Sequence, residues 1–180
     1  MKPRSGRLPG LAVELRVDAR RLLIVGDGPV AMRRLVEAVE AGALIDVFAP
    51  NPSDALTSTC LEHGVPLHAR LPDALELAAA FVILLVTPSL LPRVDWPLGP
   101  LLWVHDEPSS SHLTMPAILK CGPLRIAVSS GGRSSALSRL LRDALVRVLD
   151  ERLAAWAWAC LDSKTPSPPL RVTGSIKPPD

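Results

Sequence analysis

Hydrophobic runs along the chain alternate with amphipathic stretches, and this rhythm predicts the secondary structure. Residues 21–25 are an arginine followed by aliphatic residues only, and a glycine-containing turn ends the run. Apolar residues then recur at helical spacing over residues 32–39, and Gly42 follows where a helix C-cap is usual. Residues 44–49, apolar except for Asp46, form a second predicted strand. We therefore predict a complete β-α-β unit in this part of the chain.

The same alternation continues through the first two thirds of the chain. It predicts a helix at residues 53–63, a short strand at 66–69, a helix after Pro72 and strands at 81–86 and 101–104. The crossover before the last of these strands is rich in proline, so a regular helix is not expected there. Strands that alternate with helices indicate an α/β fold with a Rossmann-type, mostly parallel sheet.

The C-terminal third is expected to be largely helical. A sixth strand at residues 124–129 leads into a turn of small residues and then into one long helix. The apolar positions of that helix form a single stripe over residues 137–149, which we expect to dock on the sheet or on a second subunit. The proline-rich sequence from Thr165 predicts a flexible tail. Three parts of the chain are therefore expected: a Rossmann-like domain (1–112), a segment with the long helix (113–160) and the tail (161–180).

Composition and charge narrow the class of protein. The 180-residue chain is 48% hydrophobic and 21% charged, with a net charge of +2, which excludes a disordered chain and a dedicated nucleic-acid binder. The longest apolar run, residues 78–86, is too short to span a membrane. A secretory signal has an uninterrupted apolar stretch, whereas Glu14 and Arg16 interrupt the first apolar stretch of this chain. Three cysteines without disulfide or zinc spacing favour a reducing compartment, so we predict a cytoplasmic protein without a metal site.

The charge is concentrated near the C-terminus. Residues 120–152 carry 7 basic and 3 acidic side chains, a net charge of +4. Two interpretations fit this segment: a solvated helix face, or a surface that attracts a polyanionic ligand.

The sequence Gly26-x-Gly28-x-x-Ala31 follows a predicted strand and opens a predicted helix, which is the order that a dinucleotide site requires. Gly26 permits a tight turn, and Gly28 lets the backbone approach a pyrophosphate. Ala31 lets helix and strand pack closely, and the helix N-terminus supplies amide donors. The alternative is a structural glycine turn. Asn51 stands where an acidic residue is usual and can bond ribose hydroxyls, and no arginine follows it until Arg70, which favours NAD over NADP.

Two further segments carry candidate chemistry. Asp106 follows the strand at 101–104, at the sheet edge where such folds bind ligands, and is a candidate acid or base; an Asx turn before Pro108 is the alternative. His105 is not expected to be its partner, because neighbours in a strand face opposite ways. The turn at residues 129–134 can present amides and hydroxyls to an anion, or Ser134 can be a plain helix N-cap.

Together these pieces resemble the precorrin-2 dehydrogenase/sirohydrochlorin ferrochelatase family of siroheme and cobalamin biosynthesis. The resemblance runs from Leu8-Pro9 to about Leu149. It rests on these blocks: Leu23-Ile-Val-Gly-Asp-Gly-Pro-Val-Ala31, Val104-His-Asp-Glu-Pro108, Met115-Pro-Ala-Ile118 and Gly122-Pro-Leu-Arg-Ile-Ala-Val-Ser-Ser-Gly-Gly-Arg-Ser-Ser-Ala-Leu137. It implies a homodimeric enzyme that oxidises precorrin-2 to sirohydrochlorin with NAD as cofactor; many members also insert a metal ion. On this resemblance, residues 1–112 are the dinucleotide-binding domain, and residues 113–160 are a C-terminal helical dimerisation segment that also forms the tetrapyrrole cleft.

The resemblance also implies roles for particular residues. Asp106 is the expected catalytic acid or base. The expected cofactor site comprises Gly26, Gly28, Val30, Ala31, Asn51 and Thr87. The expected tetrapyrrole contacts are Ser129, Ser130, Gly131, Gly132, Arg133 and Arg139.

This chain departs from the family pattern at several places, two of which concern the expected cofactor site. Asp27 replaces the middle glycine of the usual triplet, and Pro88-Ser89 stands where an acidic pair is common. A non-catalytic relative that binds a tetrapyrrole or a nucleotide, as a carrier or sensor, is therefore the alternative function.

Overall fold

A computed structural model describes residues 10–91, 99–131, 133–149 and 151–162. The chain forms two compact units. We call residues Leu11–Thr114 the sheet unit, and the described residues from Met115 onward, which cluster with Gly10, the C-terminal unit. Most of the proline-rich crossover, the predicted tail and Gly132 lie outside the described residues.

The sheet unit is built on five parallel strands in the order β3-β2-β1-β4-β5, which confirms the predicted α/β fold. The strands are β1 (Arg21–Val25), β2 (Leu44–Phe48), β3 (Leu67–His68), β4 (Val82–Leu85) and β5 (Leu101–Val104). The helices are α1 (Pro29–Glu40), α2 (Asp54–Glu62) and α3 (Ala74–Ala79). The strand order reverses between β1 and β4, which makes their carboxyl ends the switch point of the sheet.

The core of the sheet unit lies on the two central strands. In β1 and β4 nearly every side chain is buried, as expected for strands covered on both faces. Val25 lies opposite both Phe48 of β2 and Leu85 of β4 in the strand register. The three strands therefore end level with one another, and the segments that follow them meet at one edge.

Local hydrogen bonds set the helix boundaries in this unit. The Ser53 hydroxyl accepts the Leu56 N–H at 3.2 Å and caps α2, whose C-cap is His63. The predicted helix at 53–63 is therefore α2 with both of its caps. At α3, Asp73 and Glu76 form a reciprocal capping box.

The C-terminal unit corrects two predictions. The strand predicted at residues 124–129 is β7 (Leu124–Val128), but it pairs antiparallel with β6 (Ala117–Cys121) in a separate two-stranded sheet. Gly122, with φ of +55°, and Pro123 connect the two strands. β6 was not predicted from the sequence, although its buried positions, Leu119 and Cys121, alternate with less buried ones as in a half-buried strand.

The single long helix was also a wrong prediction, because the segment contains two helices. α4 spans Ser135–Val146 and α5 spans Glu151–Asp162. After α4, the N–H groups of Val148 and Leu149 both donate to Leu145 O, at 3.0 and 2.9 Å, so the chain tightens into a turn. The apolar periodicity continues through this turn and therefore did not reveal it.

Much of the apolar stripe on α4 faces solvent. Leu137, Leu140 and Leu141 are 48%, 62% and 48% exposed, whereas Ser138 is the buried residue of this helix. Within the described part of the chain, no helix is long and apolar enough to cross a membrane.

Candidate active site

Gly26 is the point where the loop after β1 passes closest to the segment after β4. Its φ is +122°, and its N–H donates to Phe48 O at 2.9 Å. A β-carbon at this position would lie 2.3 Å from Thr87 Oγ1 and 2.7 Å from Thr87 N, far inside van der Waals contact. Position 26 therefore requires glycine for two reasons, the close packing against Thr87 and the positive φ.

Gly28 serves a different purpose, because its surroundings are open. It is the N-cap of α1, with φ of +101° and ψ of −177°, and a β-carbon there would meet nothing within 4 Å. Met32 N–H donates to Gly28 O at 3.2 Å. The N–H groups of Val30 and Ala31 therefore precede the first intrahelical bond, and α1 begins with amide donors beside open space, the usual arrangement of an anion site.

Asp27 joins this glycine loop to the start of α2. Its carboxylate accepts the N–H of Gly28, the N–H of Ser53 at 2.7 Å and the hydroxyl of Ser53 at 3.1 Å. The Asp27 N–H in turn reaches Thr87 Oγ1 at 3.4 Å. Sequence reasoning treated Asp27 as a departure from the family and did not include it among the site residues. The contact with Ser53, 26 residues away, is visible only in the folded chain.

A cavity of about 180 Å³ lies at the switch point of the sheet. Its lining consists of residues that follow β1, β2 and β4: Asp27, Ala49, Pro50, Asn51, Thr87 and Leu90. It is smaller than the roughly 300–1,000 Å³ of sites that enclose a drug-sized ligand, so it suits one part of a dinucleotide, such as a ribose.

The cavity brings together Asn51 and Thr87, two of the predicted cofactor residues, at the edge where open α/β sheets bind ligands. A larger cavity, of about 510 Å³, is lined by Arg21, Leu44 and Pro66 among others. Since Arg21 and Leu44 begin β1 and β2, this second cavity lies at the opposite edge of the sheet.

Asp106 occupies a tight turn directly after β5. Glu107 N–H donates to Val104 O at 3.3 Å, and Asp106 has φ of +57°. Ser111 secures the turn, because its hydroxyl accepts the Val104 N–H at 2.9 Å and donates to Glu107 O at 3.0 Å. The Asp106 side chain is 87% exposed, so the turn presents its carboxylate to solvent at the carboxyl edge of the sheet.

His105 and Asp106 are neighbours in space, contrary to the expectation from the sequence. Their Nε2 and Oδ2 atoms lie 3.5 Å apart. The expectation assumed that the strand continues, but β5 ends at Val104 and the positive φ of Asp106 turns its side chain back. His112 has a structural role, because its Nδ1 accepts the Leu102 N–H at 3.3 Å and its own N–H donates to Leu102 O at 2.8 Å.

In the C-terminal unit, Ser130 and Ser134 close the turn between β7 and α4. The Ser130 hydroxyl accepts the Ser134 N–H and donates to Ser134 O, both at 2.9 Å. Ser134 caps α4 by accepting the Leu137 N–H at 3.1 Å, and Gly131 N–H donates to Ser129 Oγ at 3.1 Å. The hydroxyls thus first serve the turn itself, and Ser134 is the helix N-cap that the sequence offered as one alternative.

Two arginines of this unit are exposed near the start of α4. Arg133 and Arg139 are both exposed, at the turn and on α4. Arg142 instead contacts the adjacent Asp143, with nitrogen–oxygen distances of 2.9 and 2.6 Å. The predicted tetrapyrrole contacts that the structure describes lie in the turn before α4 and in the first turns of that helix.

Among the residues that the structure describes, no group of three or more His, Cys, Asp or Glu side chains is arranged to hold a metal ion.

Comparison with known proteins assigns the two segments separately. The family model described as "Putative NAD(P)-binding" matches residues 13–117, and the one described as "Sirohaem biosynthesis protein central" matches residues 122–147. A siroheme synthase of Tolumonas auensis is 32% identical over 148 residues, which are 79% of this chain and 31% of that protein. A siroheme synthase of Pseudomonas putida is 32% identical over 132 residues, 71% of this chain and 28% of that protein. The chain thus spans about a third of the length of these relatives.

The fold has a counterpart among solved structures. The structure described as "SirC, precorrin-2 dehydrogenase" superposes with a TM-score of 0.75 at 23% identity, covering 85% of this chain and 78% of that one. At this identity the match concerns the fold. The family models and the siroheme synthase relatives confirm the resemblance drawn from the sequence motifs. The chain belongs to the family described as "Putative NAD(P)-binding", and it continues into the central segment of sirohaem biosynthesis proteins.

Proposed function

We propose that this chain is an NAD-dependent precorrin-2 dehydrogenase, which oxidises precorrin-2 to sirohydrochlorin in siroheme or cobalamin biosynthesis. One observation carries the proposal: the open Gly28 loop adjoins a cavity at the switch point of the sheet, in a chain whose relatives are siroheme synthases. The cysteine usage favours a cytoplasmic enzyme.

The residues present fit a nicotinamide dinucleotide. The lack of any atom within 4 Å of a β-carbon at Gly28 leaves room for a phosphate against the backbone. The N–H groups of Val30 and Ala31 at the start of α1 would donate to that phosphate. Asn51 and Thr87 line the adjacent cavity and would contact a ribose of the dinucleotide. When bound, NAD⁺ supplies the acceptor for the hydride that leaves the macrocycle.

Asp106 would take the proton that must leave when precorrin-2 is oxidised. A carboxylate is an effective base where it is exposed to the substrate and held in one place. Asp106 meets both conditions, since its side chain is 87% exposed and Ser111 secures the turn that carries it. The neighbouring His105 ring, whose Nε2 lies 3.5 Å from Asp106 Oδ2, would help to orient the carboxylate.

The C-terminal unit would bind the tetrapyrrole and a second copy of the chain. The segment 120–152 carries a net charge of +4, and the exposed Arg133 and Arg139 would attract a polycarboxylate. The exposed leucines of α4, with Leu140 at 62%, would be covered in a homodimer.

Anaerobic turnover of precorrin-2 with NAD⁺, followed by the absorbance of sirohydrochlorin, tests the proposal. Asp106→Asn should abolish oxidation and preserve the turn, because asparagine tolerates positive φ. Glu107→Gln is the matched control, since it removes the same charge from the next residue and should retain turnover. Turnover by Asp106→Asn at the wild-type rate would refute the role of Asp106.

A carrier or sensor without catalysis is the second candidate. The observation in its favour is the turn Pro88–Leu90, whose Leu90 lines the cavity in the segment where the family commonly has an acidic pair. Tight binding of the tetrapyrrole by the wild type, with no turnover under any condition tested, would favour this candidate over the dehydrogenase.

A further inference from the structure

The carboxylate of Asp27 is held at the boundary between the glycine loop and α2. It accepts two hydrogen bonds from Ser53, at 2.7 and 3.1 Å, and one from Gly28 N–H. These bonds fix it where it lines the cavity together with Asn51. The side chain is half-buried, so part of the carboxylate remains open to the cavity.

This position replaces a group that the second strand normally provides. In dinucleotide-binding α/β folds an acidic residue about 20 residues beyond the glycines, at the end of the second strand, accepts hydrogen bonds from the ribose hydroxyls. In this chain that place is taken by Ala49, Pro50 and the neutral Asn51. Asp27 supplies a carboxylate to the same cavity from the glycine loop itself.

The charges near the cavity favour a ribose without a 2′-phosphate. Arg70 is the first arginine after β2, and Glu76 holds its guanidinium through two hydrogen bonds of 2.7 Å. The same guanidinium lies 5.3 Å from the centre of the Phe48 ring. Asp54, the first residue of α2, adds a second negative charge beside Ser53. A 2′-phosphate at this cavity would therefore meet carboxylates, while the arginine that follows β2 is already engaged.

We propose that Asp27 is a specificity-determining residue, which accepts hydrogen bonds from the ribose hydroxyls of NAD⁺ and repels the 2′-phosphate of NADP⁺. The inference rests on the proposed nucleotide site. Asp27 also accepts a hydrogen bond from the Gly28 N–H, so the N–H groups left to bind the pyrophosphate are those of Val30 and Ala31. Repulsion between a carboxylate and a phosphate at contact distance near a protein surface corresponds to a preference on the order of tenfold to a hundredfold.

Binding of NAD⁺ and NADP⁺ to the full-length chain, measured by titration calorimetry without tetrapyrrole, tests this. The wild type should bind NAD⁺ at least about tenfold more tightly than NADP⁺. Asp27→Asn should shift the ratio towards NADP⁺ by about tenfold or more, since it removes the charge and keeps the shape. Asp54→Asn removes a charge from the same helix start but not from the cavity lining, and should shift the ratio clearly less than Asp27→Asn.

A fourth variant separates specificity from structural support. Ser53→Ala removes the hydroxyl bond to Asp27 and the cap of α2, but it leaves the carboxylate in place. It should lower stability and keep the preference for NAD⁺. If Asp27→Asn weakens both nucleotides equally, or if the wild type binds both equally, the inference is wrong while the nucleotide site stands. If neither nucleotide binds the wild type, the proposed function itself fails and takes the inference with it.

Discussion

Replacing Gly26 and Gly28 with alanine, one at a time, separates the packing requirement of the loop from its backbone requirement. Both glycines have positive φ, +122° and +101°. A β-carbon at Gly26 would collide with Thr87 Oγ1 at 2.3 Å, whereas one at Gly28 would meet nothing within 4 Å. The difference in stability between the two variants therefore measures the collision.

The expected magnitudes follow from these surroundings. A non-glycine residue in this region of positive φ costs about 1–3 kcal/mol, which is the whole effect expected for Gly28→Ala. Overpacking against Thr87 adds about 1–3 kcal/mol for Gly26→Ala, giving roughly 2–6 kcal/mol in total. Native domains are stable by only about 5–15 kcal/mol, so Gly26→Ala is expected to leave a marginal fold.

Urea unfolding followed by far-ultraviolet circular dichroism gives the free energy of unfolding of each variant. The midpoint for Gly26→Ala should lie about 1 M below that for Gly28→Ala. Adding Thr87→Ala to Gly26→Ala removes the nearest colliding atom and should recover part of the loss, because the backbone N at 2.7 Å remains. Equal stabilities of the two glycine variants would refute the close approach of Thr87 to Gly26.

Three further predictions concern other parts of the chain. Hydrogen bonds from Arg70, followed by the hydrogen bond from the backbone N–H of Asp73, lower the pKa of the Glu76 carboxyl from 4.5 to about 2. The Arg70–Glu76 pair therefore stabilises the fold above pH 4.5, and this stabilisation is lost as the pH falls towards 2. In Arg70→Gln, NMR titration should find that pKa nearer 4.5, and an unchanged value would contradict the pairing. Arg139→Ala should weaken tetrapyrrole binding most at low salt, by calorimetry, because exposed charges are screened; a loss independent of salt would count against electrostatic capture. Leu140→Arg should convert the proposed dimer to monomer in sedimentation velocity, whereas Leu75→Arg, at a leucine 80% exposed on α3, should not; a dimer that survives Leu140→Arg would exclude this face of α4.

The sequence predicted the central strands closely because their signal is local. β1 and β5 have the predicted bounds, Arg21–Val25 and Leu101–Val104. A strand buried on both faces is a continuous apolar run, and glycine or polar residues end it at a definite place. The glycine spacing likewise indicated the loop before α1, since the need for positive φ is a property of the residue itself.

Tertiary structure decided which strands pair and where helices end. Gly122 and Pro123 separate β6 from β7 by two residues, which is a local hairpin signal, but nothing local shows that β7 stays out of the parallel sheet. In the same way, the apolar stripe of α4 continues past Val146, so the side-chain pattern does not indicate the turn that the backbone hydrogen bonds to Leu145 O form.

The same distinction between local signals and tertiary contacts applies to the candidate site. The sequence by itself determined that Gly26, Gly28 and Asp106 would stand at the carboxyl ends of strands, since strand ends are marked locally. Only the folded chain placed the Asp27 carboxylate on Ser53 and the Thr87 side chain against Gly26. These contacts join residues 26 and 61 positions apart, and the strand register that brings them together is set by the burial of the whole sheet rather than by any residue in the site.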